Sequence, residues 1–188
     1  DYKNMSDQDE AKFRMIEYHK WKFKAKIFSP LAPLTVKRTP VLMTRVEYGF
    51  LGSYNKYKKS PFETFYMGGD GMSGYSSTYA TETIGLRGYE NGSIAGNGGY
   101  NSYGYAYSRL SMELRYPFLL EPSSTIYGLV FVEAGNAWRD LKDFNPFQLK
   151  RSAGVGVRIF LPMIGLMGID WAYGFDRPDG YDQRGGSN

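Results

Sequence analysis

Cysteine is absent from this chain of 188 residues, and His19 is the only histidine. The sequence therefore predicts no metal site built from His and Cys ligands. A single histidine also argues against the Ser-His-Asp set, or the Asp-His pair, on which a hydrolytic barrel would depend. We expect a non-enzyme without catalytic residues, metal or cofactor. A chain without cysteine fits an oxidising compartment such as the periplasm or the cell surface.

Long apolar runs are missing as well. The longest contains four residues, Leu129 to Val132, whereas a transmembrane helix needs roughly 18 to 20. The net charge of +4 is scattered along the chain and not clustered, so we expect no nucleic-acid partner. Residues Asp1 to Asn4 lack the basic, apolar and small-residue succession of a signal peptide. We therefore expect this chain to be part of a longer protein.

Glycine and tyrosine are abundant, with 23 and 17 residues, and aromatic residues make up 17% of the chain. Such a composition favours many short strands. Period-two alternation marks six segments, each at least as long as the roughly 9 to 11 residues of a tilted membrane-spanning strand. The segments are residues 13–28, 41–51, 103–117, 124–138, 150–161 and 164–175. An all-β fold is therefore predicted.

Each segment has one apolar and one polar face. In the third segment, Met112 and Leu114 alternate with Ser111, Glu113 and Arg115, as side chains on the two faces of a strand do. The first segment carries four lysines on its polar face, which we interpret as solvated: Lys20, Lys22, Lys24 and Lys26. Such faces fit either an outer-membrane barrel around a polar lumen or a soluble antiparallel sandwich, for example a sugar-binding one.

Two features favour the barrel. The polar faces hold very small residues beside charged ones, which suits a lumen crowded by an inserted loop: Gly154, Gly156, Gly168 and Gly174. The connections also alternate between short ones, at 119–123 and 162–163, and long ones, at 53–102 and 139–149, as in outer-membrane barrels. Five aromatic residues near strand ends are candidates for the interfacial girdles: Tyr116, Phe118, Trp138, Trp171 and Phe175. Six strands alone leave edges unpaired in lipid, so further strands must complete the barrel.

The connection from residue 53 to residue 102 is long enough to have a function of its own. It contains Leu86-Arg87-Gly88-Tyr89, and the long cation Arg87 needs a partner if this loop packs on the strands. Gly68-Gly69 in the same loop is similar to a phosphate-cradling sequence, but no Lys-Ser/Thr pair follows it. We expect these glycines to form a turn with positive φ instead.

Six motifs occur along the chain in a distinctive order and spacing. They are Phe65-Tyr66-Met67-Gly68-Gly69, Leu86-Arg87-Gly88-Tyr89, Ser111-Met112-Glu113-Leu114-Arg115-Tyr116-Pro117, Phe131-Val132-Glu133-Ala134-Gly135-Asn136-Ala137-Trp138, Arg151-Ser152-Ala153-Gly154-Val155-Gly156-Val157-Arg158 and Asp170-Trp171-Ala172-Tyr173-Gly174-Phe175. Together they closely resemble the C-terminal part of the barrel in the BamA family, the outer-membrane protein assembly factors of Gram-negative bacteria. The resemblance covers nearly the whole chain.

The resemblance implies that residues 1–188 are the C-terminal portion of one sixteen-stranded barrel domain. The six segments would be its strands ten to fifteen, and the final strand and the N-terminal periplasmic repeats would lie outside this chain. Residues 53–102 would be an extracellular loop that folds into the lumen. In the family, the arginine of the Arg-Gly-aromatic tip binds acidic residues of the lumen wall, and the matching positions here are Glu113 and Glu133. The alternation of polar side chains places both carboxylates on one face of adjacent strands.

The resemblance also implies a function, which is assembly and insertion of proteins in the cell outer membrane. The expected partners are the outer-membrane lipid bilayer, nascent outer-membrane β-barrel proteins, and periplasmic or lipoprotein subunits of the assembly machinery. The residues that would lock the loop to the wall are Arg87, Gly88, Tyr89, Glu113 and Glu133. Two alternatives stay open: a two-partner-secretion or TamA-like translocator of the same superfamily, and a passive porin.

Overall fold

The computed structural model describes residues 16–33, 35–36, 38–54, 59–71, 82–94, 103–121 and 123–176. Within these ranges the chain forms eight strands and one short 3-10 helix, Leu141–Asp143. The strands are β1 (Tyr18–Pro30), β2 (Val41–Ser53), β3 (Phe65–Met67), β4 (Glu82–Ile84), β5 (Ala106–Glu121), β6 (Ser124–Trp138), β7 (Lys150–Leu161) and β8 (Gly165–Gly174). No helix within the described ranges is long and apolar enough to cross a membrane. The predicted all-β class is confirmed.

Six long strands form one antiparallel sheet in the order β1-β2-β5-β6-β7-β8. They are the six segments predicted from period-two alternation, with bounds shifted by a few residues at β1, β2, β5 and β8. Residues 13–15, which the prediction included in the first strand, lie outside the described residues. The sheet is not closed, since β1 and β8 are its two edges, and this is consistent with part of a barrel. The remaining strands, β3 and β4, form a short parallel pair within the long loop.

The exposure of the two faces of the sheet is the reverse of that in a soluble domain: the apolar side chains are exposed and the polar side chains are buried. On β5, the apolar side chains Met112 and Leu114 are 45% and 42% exposed, whereas Ser111 and Glu113 are 1% and 5% exposed. Apolar side chains on the same outer face of β6 and β8 are exposed as well: Val130, Val132, Ile169, Trp171 and Tyr173. A continuous apolar outer face of this kind suits a lipid environment and not water. We call the opposite face, which carries Glu113, the inner face.

The apolar core lies between the inner face and the long loop. Loop residues Phe65, Met67 and Leu86 are fully buried there, and Phe65 packs edge-on against Tyr107 of β5, with ring centres 4.6 Å apart. Small residues of the six-stranded sheet, which we call the wall, make room for this packing. A Cβ at Gly135 would lie 2.3 Å from the Met67 methyl carbon, so the loop can approach β6 closely only because this position lacks a side chain.

One candidate girdle residue is placed differently from the prediction. Trp138 is only 5% exposed, and its ring packs edge-on against Phe144, with ring centres 4.7 Å apart. It therefore packs under the connection that follows β6 and does not face the membrane, so this part of the prediction is wrong. The other four candidates are exposed: Tyr116, Phe118, Trp171 and Phe175.

Candidate functional site

The loop folds back on itself before its tip reaches the wall. Gly68 and Gly69 have φ angles of +129° and +71°, in the region that glycine adopts most readily. Their amide groups donate hydrogen bonds to the carbonyl oxygens of Ile84 and Tyr89, each at 3.0 Å. This turn, at the position predicted for one, therefore joins the two limbs of the loop and positions the tetrapeptide that contains Arg87.

Arg87 is held by three carboxylates from three strands. Its Nη2 donates to Glu113 of β5 at 2.6 Å and to Glu133 of β6 at 2.7 Å, and its Nη1 donates to Asp170 of β8 at 3.1 Å. The backbone N–H of Arg87 donates to the second oxygen of Glu133 at 2.9 Å. The guanidinium carbon also lies 3.5 Å from the centre of the Phe131 ring, a cation–π contact. The structure thus brings together Arg87, Glu113 and Glu133, as the resemblance implies.

These carboxylates also bind arginines of the wall. Glu133, whose side chain is 0% exposed, accepts hydrogen bonds from Arg109 at 2.9 Å and from Ser111 at 3.1 Å. Arg115 binds Glu113 with two nitrogens, at 3.0 and 2.6 Å, and Arg158 binds Asp170 with two nitrogens, at 2.5 and 2.6 Å. With Glu47, which lies 3.9 Å from Arg109, the network contains four arginines and four carboxylates.

The loop arginine stays charged in this environment. Burial lowers the pKa of the Arg87 guanidinium, but its hydrogen bond to Glu133 and the charges of Glu133 and Glu113 outweigh burial and raise the pKa. A buried ion pair of this kind contributes little net stability, yet removal of one partner costs about 3 to 5 kcal/mol because an unpaired charge is left behind. The network therefore favours one specific position of the loop tip over others.

Gly88 and Tyr89 extend the contact to β7 and β8. The Tyr89 hydroxyl donates to the carbonyl oxygen of Arg151 at 2.6 Å and accepts from the amide of Asp176 at 3.2 Å. Gly88 has a φ of +90°, and a Cβ at this position would lie 2.9 Å from the carbonyl carbon of Tyr173. The backbone of the tip therefore lies directly on the wall, where no larger side chain fits.

Replacement of Gly88 by alanine tests this close approach. Gly165, the first residue of β8, has a similar φ of +93° but open space around its Cβ position, so Gly165→Ala is a matched control that introduces backbone strain alone. We expect Gly88→Ala to lower the free energy of unfolding by about 1 to 3 kcal/mol more than Gly165→Ala does, because the added methyl group meets wall backbone. Urea titration of the two variants measures this difference. Equal losses would mean that the tip does not lie against β8.

Five members of the network were not predicted to take part in it: Glu47, Arg109, Arg115, Arg158 and Asp170. Alternation of polar and apolar side chains places all five on the polar face of their strands, and Asp170 opens one of the six motifs. The missing information was the spatial position of the loop tip, since Asp170 lies 83 residues from Arg87 in the sequence. Within the described residues, no cluster of three or more His, Cys, Asp or Glu side chains could hold a metal ion.

Comparison with known proteins places this chain in a family. Residues 12–186 match the Omp85 superfamily domain. The fold is similar to that in the crystal structure of BamA from Haemophilus ducreyi lacking POTRA domains 1-3, with a TM-score of 0.61 and 21% sequence identity. The match covers 86% of this chain and 32% of that one, so the chain spans about a third of the BamA structure. A search of curated proteins finds no match. The chain belongs to the Omp85 superfamily, and its fold is that of the C-terminal part of a BamA-like barrel.

Proposed function

We propose that this chain forms part of the barrel of an outer-membrane protein insertase of the BamA type. The observation that carries the proposal is the ion network at the loop tip, in which Arg87 binds carboxylates of β5, β6 and β8. In an Omp85 chain, a loop held in this way braces the inside of the barrel wall. The role of Arg87, Gly88, Tyr89, Glu113 and Glu133 as a lock is part of this proposal.

The exposed outer face supports a location in the outer membrane. Ile169 and Trp171 of β8 are 81% and 70% exposed, and burial of such side chains in lipid is favourable by roughly 25 cal/mol per Å² of apolar surface. The inner face carries the ion network, which would be costly to expose to hydrocarbon. The lipid bilayer is therefore the first partner in the proposal, and the outer face is the surface that contacts it.

The proposed mechanism involves no bond chemistry and no cofactor. In lipid, the free edges of β1 and β8 need partner strands, which other parts of the barrel would supply. A nascent outer-membrane protein would add its strands at a seam between such strands by β-augmentation. The segment from β5 to β8, held together by the loop tip, would stay paired during insertion and provide the fixed side of the barrel. Periplasmic or lipoprotein subunits would deliver the client.

Client folding by the intact protein tests the proposal. We would place the protein in liposomes and add a urea-unfolded outer-membrane barrel as client. Folding of the client would be followed by its heat-modifiable mobility on SDS gels, since the folded form in unheated samples migrates differently from the unfolded form. An insertase accelerates this folding over protein-free liposomes. A translocator of the same superfamily would instead deliver an unfolded polypeptide into the vesicle interior, and a porin would give a large steady current in a planar bilayer. Either of these results without accelerated folding would overturn the proposal.

A further inference from the structure

A second group of charges joins the loop to β1, at the edge of the sheet opposite β8. Glu82, at the start of β4, accepts from Lys20 at 2.9 Å and from Lys22 at 3.0 Å, and Lys24 lies 3.6 Å from its other oxygen. Lys20 also donates to Glu63 of the loop at 2.8 Å. The prediction that the lysines of β1 are solvated is wrong for Lys20, whose side chain is only 12% exposed.

This lysine is packed as well as paired. Its Nζ lies 4.8 Å from the centre of the Phe65 ring, and Phe65 is the β3 residue that pairs with Glu82 in the parallel β3–β4 ladder. Burial favours the neutral form of Glu82, but hydrogen bonds from Lys20 and Lys22 outweigh it and hold the pKa of this carboxyl below its usual range. Glu82 is thus a charged, partly buried group with three cations around it.

At its two charged contacts the loop contributes charges of opposite sign. Arg87 is a loop cation that binds wall carboxylates on β5, β6 and β8, whereas Glu82 is a loop carboxylate that binds wall lysines on β1. Only four residues separate them in the sequence, yet together they reach both edges of the six-stranded sheet. A loop that shifted or turned round on the wall would bring like charges together, and such an arrangement costs energy.

We propose that Glu82 is a second anchor of the loop, and that Glu82 and Arg87 together tie β1 to β8 across the inner face. In this arrangement the loop connects the two edge strands of the sheet through ion pairs. Glu82 and its lysines are therefore positioning residues, since they act through the placement of the loop. The inference does not depend on which client or polypeptide the protein handles.

Acetylation of lysines in the resting, full-length protein tests the second anchor. Lys26 is an internal control, because it is exposed on the same strand face and makes no ion pair within the described residues. After brief treatment with N-hydroxysuccinimide acetate, mass spectrometry gives the labelling rate of Lys20 relative to Lys26. We expect Glu82→Gln to raise this ratio roughly threefold to tenfold, because the amine loses a charged partner and loop cover. Glu63→Gln should raise it less, because Glu63 is the more exposed carboxylate.

Wall variants give an independent measurement. Lys22→Gln removes one cation that binds Glu82 and leaves the loop sequence intact, so we expect faster chymotrypsin cleavage of the loop, by roughly twofold to fivefold. Lys26→Gln should leave the cleavage rate unchanged. An unchanged labelling ratio in Glu82→Gln would overturn the inference. If Glu82→Gln does not fold, cleavage of the loop in Lys22→Gln at the wild-type rate would overturn the inference instead. Because no client is present in these experiments, their failure is distinguishable from failure of the proposed insertase function.

Discussion

Replacement of Arg87 by alanine is expected to release the loop tip from β5, β6 and β8 and to lower the free energy of unfolding by about 3 to 5 kcal/mol. The reason is that Glu113, Glu133 and Asp170 each lose a hydrogen-bonded cation in a largely buried site. Chymotrypsin should cleave the loop faster in the folded variant, and insertion of the client should slow. Urea titration and timed proteolysis of the intact protein measure both effects.

Two further variants separate charge from geometry in this experiment. Arg87→Lys keeps the charge but cannot reach three carboxylates with a planar, forked group, so we expect an intermediate loss. Arg139→Ala removes an exposed arginine and should change neither stability nor proteolysis. Normal client assembly and unchanged protease resistance of the loop in Arg87→Ala would show that the tip is not a lock.

A second large loss of stability is expected when Glu133 is replaced by glutamine. This carboxylate accepts from the Arg87 side chain, the Arg87 backbone, Arg109 and Ser111. Glu133→Gln keeps the shape but removes the charge that two arginines share, and its amide nitrogen would face donors and not acceptors. We expect a loss of about 3 to 5 kcal/mol, measured by urea titration, with Glu121→Gln on the exposed end of β5 as control.

A double variant then tests whether the two residues act together. Because Arg87 and Glu133 share hydrogen bonds, the loss in Arg87→Ala with Glu133→Gln should be smaller than the sum of the single losses by at least about 1 kcal/mol. Additive losses would indicate that each residue is stabilised by separate contacts. That result would contradict a single network.

The long strands could be predicted because their pattern is local. Met112 and Leu114 alternate with Ser111 and Glu113 within one strand, so the sequence alone indicates which side chains share a face. The pairing of Arg87 with Glu113 and Glu133 required the resemblance to a family as well, since nothing local connects a loop arginine to a strand 26 or 46 residues away. Periodicity predicted which face of the sheet carries Glu113 and Glu133, and the resemblance of the motifs to a family predicted that Arg87 binds them.

Other features carry no local signal. The β3–β4 pair has only three residues in each strand, too few for a recognisable period, so the position of Glu82 beside β1 could not be predicted. Lys20 looks solvated in the sequence, because the groups that cover it, Glu63, Phe65 and Glu82, belong to the distant loop. Trp138 was misplaced for a related reason, since its burial depends on Phe144 in the following connection and not on its own strand.

The connection between Arg87 and the last strands also has a consequence for the order of folding. Arg87 binds Asp170 from 83 positions away, and Tyr89 binds the amide of Asp176 from 87 positions away. Closure of such large chain segments is entropically costly and slow. The tip can make its full set of contacts only when β8 has formed and paired with β7, so we expect the contacts with Asp170 and Asp176 to form last. A chain that lacks β8 would offer the tip an incomplete set of partners, so we expect complete docking of Arg87 to require that all three strands that hold it, β5, β6 and β8, are in place.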